Sequence, residues 1–364
     1  MVKFEKRALV PRMPGFEAIA PYLRRIDDEK TYSNFGPLNF ELTQKLAHYF
    51  GFPEESVCTI ANATLGLQAV IQNSGLSMNQ LIEVPAFTFA ASPLSIISSG
   101  SRPFFIDIDA ELRCVPTKNA QIVMDVLPFG ANLRLADWCH NLQFLIVDAA
   151  ASFDALCGFG NKFELPMQAA VVVSLHSTKL IGAGEGSVII SKDTELISRI
   201  KSWQNFGFEI GSNLRRDSQF YGTNAKMSEY ASAVCLASLD LWPETRYLYK
   251  ELNAKAMIIN QDLGLIPHQG MSEGYATPNW NIFFPNVDVV NRVETQLAQL
   301  GYETRRWWSR GCHNMSAFAN CKRSSLTNTE HIVDRYLGLP FHTYLPEDYW
   351  SMIHEVLSRA SKGI

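Results

Sequence analysis

Seven short, almost uninterrupted apolar runs occupy the first 192 residues: SVCTI (56–60), QLIEV (80–84), RPFFIDI (102–108), QIVMDVLPF (121–129), QFLIVDA (143–149), AAVVVSL (169–175) and GSVIISK (186–192). Strands exposed on one face alternate apolar with polar residues, whereas strands covered on both faces read as continuous apolar runs. Helical patterns stand between these runs. ATLGLQAVIQ (63–72) and SPLSIIS (92–98) can act as crossovers, and FELTQKLAHYF (40–50), with Gly51 as a stop, precedes the first strand. The βα alternation predicts an α/β domain with a mainly parallel central sheet flanked by helices. QIVMDVLPF is ambiguous in period, but the turn signal PFGAN after it favours a strand.

From about residue 227 the pattern turns helical, and Pro243 interrupts it. NWNIFFP (279–285) reads as a strand, DVVNRVETQLAQLG (288–301) as a helix, and DYWSMIHEVLSRA as a last helix. The expected division is a large α/β domain over 1–243 and a smaller α+β domain over 244–364. With 364 residues, 47% of them hydrophobic, the chain can bury two cores. A net charge of -4 gives no general attraction to nucleic acid or anionic membranes. The 19% share of charged residues leaves more apolar surface than usual, which points to an oligomer. The seven cysteines (Cys58, Cys114, Cys139, Cys157, Cys235, Cys312, Cys321) form no C-x-x-C pair, so neither a disulfide framework nor a metal site is expected. No signal peptide or spanning segment is read, and the expected location is the cytoplasm.

Chemistry concentrates in four segments. In SLHSTKLIGAGEGSVIIS (174–191), Lys179 follows an apolar strand. A lysine at a strand's C-terminal end is either an ordinary loop lysine or one desolvated enough to form a Schiff base with an aldehyde. Ser174, five residues earlier, can bond a phosphate. In FLIVDAAASFDA (144–155), Asp148 ends a strand, where a carboxylate is either a local cap or the partner of a buried cation. TIANATLGLQAV (59–70) places small residues and Thr64 at a strand-to-helix turn, open to a phosphate or simply a capped helix. In EVPAFTFAAS (83–92), Phe89 is either core or a face on which a flat ring stacks.

Taken in order, these segments resemble the DegT/DnrJ/StrS family of nucleotide-sugar aminotransferases, within the fold-type I pyridoxal-phosphate enzymes. NATLGL (62–67) stands where the family has Ser-Gly-Thr-x-Ala-Leu, and FTFAAS where it has Thr-aromatic-x-Ala-Thr. RPFFIDID matches a strand ending in Asp-x-Asp, VDAAAS matches Glu-Asp-Ala-Ala-Gln-Ala, and SLHSTKLIGAGEGS matches Ser-Phe-His-x-x-Lys with Gly-Glu-Gly-Gly. NFGPLNFELTQKLAHYFG, YGTNAKMSEYASA (221–233), CHNMSAF (312–318) and YLGLPFH (336–342) complete the series.

The resemblance implies pyridoxal 5'-phosphate as cofactor, cycling with pyridoxamine 5'-phosphate. Lys179 would be the Schiff-base lysine and proton shuttle, and Asp148 the partner of the pyridinium nitrogen. Phe89 would stack on the ring, with Ser174, Thr64 and the backbone at Ala63 on the phosphate. Asn224 would reach that phosphate from the neighbouring subunit of a homodimer. The implied reaction takes an amino group from glutamate, releases 2-oxoglutarate, and aminates a keto group of a nucleotide-linked 4-keto-6-deoxy sugar, with dTDP as nucleotide. Such products enter surface polysaccharides, including lipopolysaccharide O-antigen, or natural products. Glu185, Arg305, Arg306, Trp307, Trp308 and His313 would face the sugar nucleotide; the alternative for the basic, aromatic stretch YETRRWWSRGCH (302–313) is inter-domain packing. Three positions depart from the pattern: Asn62-Ala63 for Ser-Gly, Ala151 where Gln or His touches the ring hydroxyl, and Ser187 for the second Gly of Gly-Glu-Gly-Gly. Amination at C3, or a non-catalytic sugar-nucleotide-binding relative, are the alternatives. A dehydratase is disfavoured because Lys179 is present, and a Rossmann reading because GAGEGS leads into a strand.

Overall fold

All seven apolar runs form strands in a computed structural model that describes residues 6–157, 163–208 and 217–361. In chain order they are β1 (Val57–Ile60), β2 (Leu81–Pro85), β3 (Arg102–Ile108), then a short β4 (Cys114–Val115), β5 (Ile122–Val126), β6 (Phe144–Asp148), β7 (Ala169–Ser174) and β8 (Ser187–Ile190). Later come β9 (Ile266–Pro267), β10 (Trp280–Phe283), β11 (Arg305–Arg306), β12 (Lys322–Arg323) and β13 (Tyr336–Leu339). The large sheet runs β1-β8-β7-β6-β5-β2-β3-β12, with β4 pairing to β3. From β7 to β12 along that path every pair is parallel; β8 is antiparallel to both β1 and β7. Strands β5, β6 and β7 are buried along their whole length, as their unbroken apolar sequences require.

The strand order sets the position of the site. Chain progression moves outward from β2 to β3, and then the opposite way from β5 through β6 to β7. The β2–β5 junction is therefore a topological switch, and ligands of open α/β sheets bind at the carboxyl ends of the strands there. The helix Ala63–Asn73 enters from β1, and Gly66 lets it sit directly on the sheet: a Cβ at that position would lie 3.0 Å from Val172 Cγ1.

A four-stranded antiparallel sheet, β11-β13-β10-β9, lies wholly after residue 243, yet β12 returns from the same region to the edge of the large sheet. Pro243 does divide the helical run. One helix ends at Asp240 and the next, Trp242–Leu263, carries the proline in its first turn, where its missing N–H has no intrahelical acceptor to lose. The helix Phe16–Glu29 has no counterpart in the sequence reading, and it continues through Pro21. The helix Thr194–Trp203 was likewise not anticipated. No helix among the described residues is long and apolar enough to cross a membrane.

Candidate active site

A cavity of about 700 Å3 opens at the carboxyl ends of β5, β6 and β7. Asp148 is the last residue of β6 and Ser174 the last of β7; Thr88 and Phe89 follow β2, and Ala63 and Thr64 begin the helix after β1. All of them line this cavity together with Lys179. Six residues expected at the cofactor site from sequence (Ala63, Thr64, Phe89, Asp148, Ser174 and Lys179) thus line one cavity within one chain, and Glu185 stands at the same wall.

Asp148 is buried, and a carboxylate there needs partners. Ser92 Oγ donates to Oδ2 at 2.7 Å, and the Ala150 N–H reaches Oδ1 at a longer 3.2 Å. Burial pushes Asp148 above the ordinary carboxylate range; Ser92, Ala150 N–H and Lys179 act in the opposite direction. Burial holds the Lys179 amine below its ordinary range, opposed by the Asp148 charge. Depressing a lysine this way enlarges the fraction of neutral, nucleophilic amine. No hydrogen bond or ion pair engages Lys179 Nζ among the described residues.

At the start of the helix Ala63–Asn73, Asn62 accepts from Leu65 N at 2.9 Å through its side-chain oxygen and from Gly66 N through its carbonyl. The N–H groups of Ala63 and Thr64 belong to the first turn and have no acceptor inside the helix, so they remain for an anion. The change from Ser-Gly to Asn-Ala thus keeps a capped helix end. Ser187 is fully buried and donates to Val173 O at 2.9 Å, beneath the helix rather than in the cavity, so its replacement of glycine is a packing matter. Ala151 does line the cavity and presents only a methyl group.

The basic, aromatic segment splits between the two roles considered for it. Arg305 and Trp307 line the cavity, whereas Arg306 does not. Successive residues of a strand face opposite sides; on β11, Arg306 turns to Glu294 (Nε to Oε2, 2.9 Å). The expectation that Arg306 meets the substrate is corrected on that ground. The indole of Trp307 lies over Gly338, where a Cβ would come within 2.3 Å of its Nε1. A left-handed backbone at Trp308 (φ 55°) ends the alternation and brings that ring to the cavity as well. Trp308 also stacks on Phe129 (4.6 Å, 18°), which in turn stacks on Tyr336 of the small sheet (5.7 Å, 10°). It is therefore both cavity wall and inter-sheet packing.

His313 is corrected too. Gly311 (φ 61°) turns the chain inward, and His313 is buried against it, paired with Asn314, outside the cavity lining. Asn224 is exposed, bonded to Lys226 Nζ at 2.8 Å, and does not line the cavity of its own chain. Sequence reasoning missed Ser92, His176 and Asn279. His176, whose Nδ1 accepts from Thr178 N, points Nε2 toward Glu185 at 3.6 Å.

Residues 16–358 match the DegT/DnrJ/EryC1/StrS aminotransferase family. The chain belongs to that family. It is 28% identical to the dTDP-4-amino-4,6-dideoxy-D-glucose transaminase of Shigella dysenteriae, over 93% of this chain and 94% of the relative. A solved structure assigned as a PLP-dependent aminotransferase from Bacillus cereus superposes with a TM-score of 0.84 at 29% identity, covering 97% of this chain and 99% of that one. The structure of DesI with its TDP-sugar product gives a TM-score of 0.84 at 27% identity, covering 100% and 95%. The chain is accordingly an enzyme, a sugar aminotransferase by family, with the fold of the PLP-dependent aminotransferases and with pyridoxal phosphate as its cofactor. The site fits that group: a buried carboxylate with an under-used oxygen, a helix start with free N–H donors, and a half-buried lysine share one cavity.

Proposed function

We propose that this enzyme transfers the amino group of glutamate to C4 of a dTDP-linked 4-keto-6-deoxy sugar. The observation that carries the reading is the joint placement of Lys179 and Asp148 in a cavity that Arg305, Trp307 and Trp308 also line. Support for the sugar comes from the dTDP-4-amino-4,6-dideoxy-D-glucose transaminase relative and from DesI, solved with its TDP-sugar product.

When bound, pyridoxal phosphate supplies an electron sink for the carbanion at the donor's α-carbon. The residues to hold it are Asp148 on the ring nitrogen, Phe89 on the ring face, and Ser174, Thr64 and the Ala63 backbone on the phosphate. Lys179 Nζ removes the proton from the donor's α-carbon, and in the second half-reaction delivers one to the sugar carbon that receives nitrogen. Arg305 offers the charge for the diphosphate, and Trp307, with Arg305 5.6 Å above its ring, a flat face for base or sugar. The family's homodimer, with Asn224 of the partner subunit reaching the phosphate, is part of the proposal. So are a large domain ending near Pro243 and residence in the cytoplasm. Exposed Phe89, Phe206, Phe220 and Tyr221 are consistent with a surface that a second copy covers.

The test is direct. Glutamate should bleach the visible band of the bound cofactor, and a dTDP-4-keto-6-deoxy sugar, rather than its 3-keto isomer, should restore it. Restoration by the 3-keto isomer alone would move the reaction to C3. No visible band even with added cofactor would favour a non-catalytic binding role. Arg305→Ala should raise the sugar-nucleotide KM about tenfold, the cost of one charge-assisted contact, and leave the glutamate half-reaction intact. Arg306→Ala should leave KM unchanged and lower stability by about 1 kcal/mol, as loss of a partly screened ion pair does. Reversal of the two effects in steady-state kinetics and urea melts would contradict the assignment.

A further inference from the structure

Behind Asp148 lies a buried line of hydroxyl groups. Ser92 and Thr88 are each fully buried, their hydroxyl oxygens are 2.9 Å apart, and Ser92 Oγ is 2.7 Å from Asp148 Oδ2. The direction of both bonds follows from proton counting. An ionised carboxylate only accepts, so Ser92 must donate to Asp148. Its single proton is then used, and the Thr88 hydroxyl must donate to Ser92. Each bond polarises the next in the same sense, toward the carboxylate. A protonated Oδ2 would have to donate back to Ser92 and turn the whole line around.

Thr88 is itself anchored. Cys312 Sγ donates to its carbonyl at 3.1 Å, and Cys312 N donates to Ala86 O at 2.8 Å. The segment carrying Trp307 and Trp308 is thereby fastened to the residue at the head of the line. Lys179 is the charged group that acts on Asp148 from the cavity side, and burial works against the anion.

We infer that Ser92, set by Thr88, is a positioning residue that fixes Asp148 as an anion aimed at the cofactor's ring nitrogen. The inference rests on the pairing of Asp148 with that nitrogen. It assigns to the Ser92 and Thr88 hydroxyls a role in cofactor selection rather than in folding alone.

The experiment compares two ligands on the purified full-length protein: pyridoxal phosphate, and its deaza analogue, in which a C–H replaces the ring nitrogen. Binding of pyridoxal phosphate by the unaltered protein first establishes the cofactor site. Ser92→Ala should then weaken pyridoxal phosphate about 10–100-fold, the range for a hydrogen bond to a buried charge. Affinity for the deaza analogue should stay the same or improve, because no ring cation is there to reward the anion. Thr88→Val should weaken pyridoxal phosphate a few-fold on its own and have no further effect in the Ser92→Ala background, since the line is already cut. Equal losses for both ligands would mean a merely structural role and would overturn the inference. So would unchanged affinity for pyridoxal phosphate, or full additivity of the two substitutions.

Discussion

Replacing Lys179 by alanine is expected to abolish the glutamate half-reaction, with a rate loss on the order of 10⁴-fold or more. Two functions vanish at once in that variant. The amine that anchors the cofactor is gone, and so is the base that moves the α-proton. The surroundings explain why no neighbour replaces it: Ser174, Thr178 and His176 line the same wall, but Thr178 and His176 are bonded to one another and His176 also faces Glu185. Lys179→Arg should fare no better, since a guanidinium stays protonated and is not a nucleophile. Single-turnover absorbance after mixing with glutamate checks both variants. A loss of less than about tenfold in Lys179→Ala would remove the residue from its assigned role.

Asp148→Asn is expected to lower the same half-reaction by roughly 10²–10³-fold, the usual cost of losing a fixed charge opposite a charge needed for reaction. The side chain should keep its place, because the single amide oxygen can still accept from Ala150 N while the NH2 donates to Ser92 Oγ, which turns the hydroxyl line around. A second consequence can be read without any turnover. Burial raises the folded-state pKa of Asp148 above its unfolded value, so in the cofactor-free protein the folded state binds this proton more tightly than the unfolded state. Stability from that difference is fully present below the ordinary aspartate range and is lost as pH rises through the raised pKa. The Asp148→Asn variant lacks this loss. Urea unfolding of both cofactor-free proteins from acidic to neutral pH should therefore show the variant gaining relative to the native chain as pH rises; a relative loss would contradict the direction of the shift.

The parts of the site that sequence made legible share one physical property. Asp148, Ser174 and Lys179 sit at or just after the ends of strands buried on both faces, and such strands announce themselves as unbroken apolar runs. Their order along the chain then matched a family pattern. Arg306 illustrates what was not legible. The strand that carries it has two residues, too few to display a period, so nothing in RRWW indicates that 305 and 307 face the cavity while 306 faces Glu294. Trp308 escapes the same alternation only through a left-handed backbone that a bulky residue rarely adopts. Ser92 looks like any small residue near a helix start; its importance comes from a carboxylate 56 positions away in sequence. The helix Phe16–Glu29 was hidden by Pro21, a residue usually taken as a breaker. His313 was grouped with the basic, aromatic stretch expected to face the sugar nucleotide, but the turn at Gly311 buries it away from the cavity.

The most direct test of the central claim is to reduce the cofactor-loaded protein with borohydride, digest it, and locate the fixed cofactor by mass spectrometry. The assignment of Lys179 predicts the added mass on the peptide containing that residue, and its absence in Lys179→Ala. Labelling of another lysine, or of none in a protein that binds pyridoxal phosphate, would contradict it.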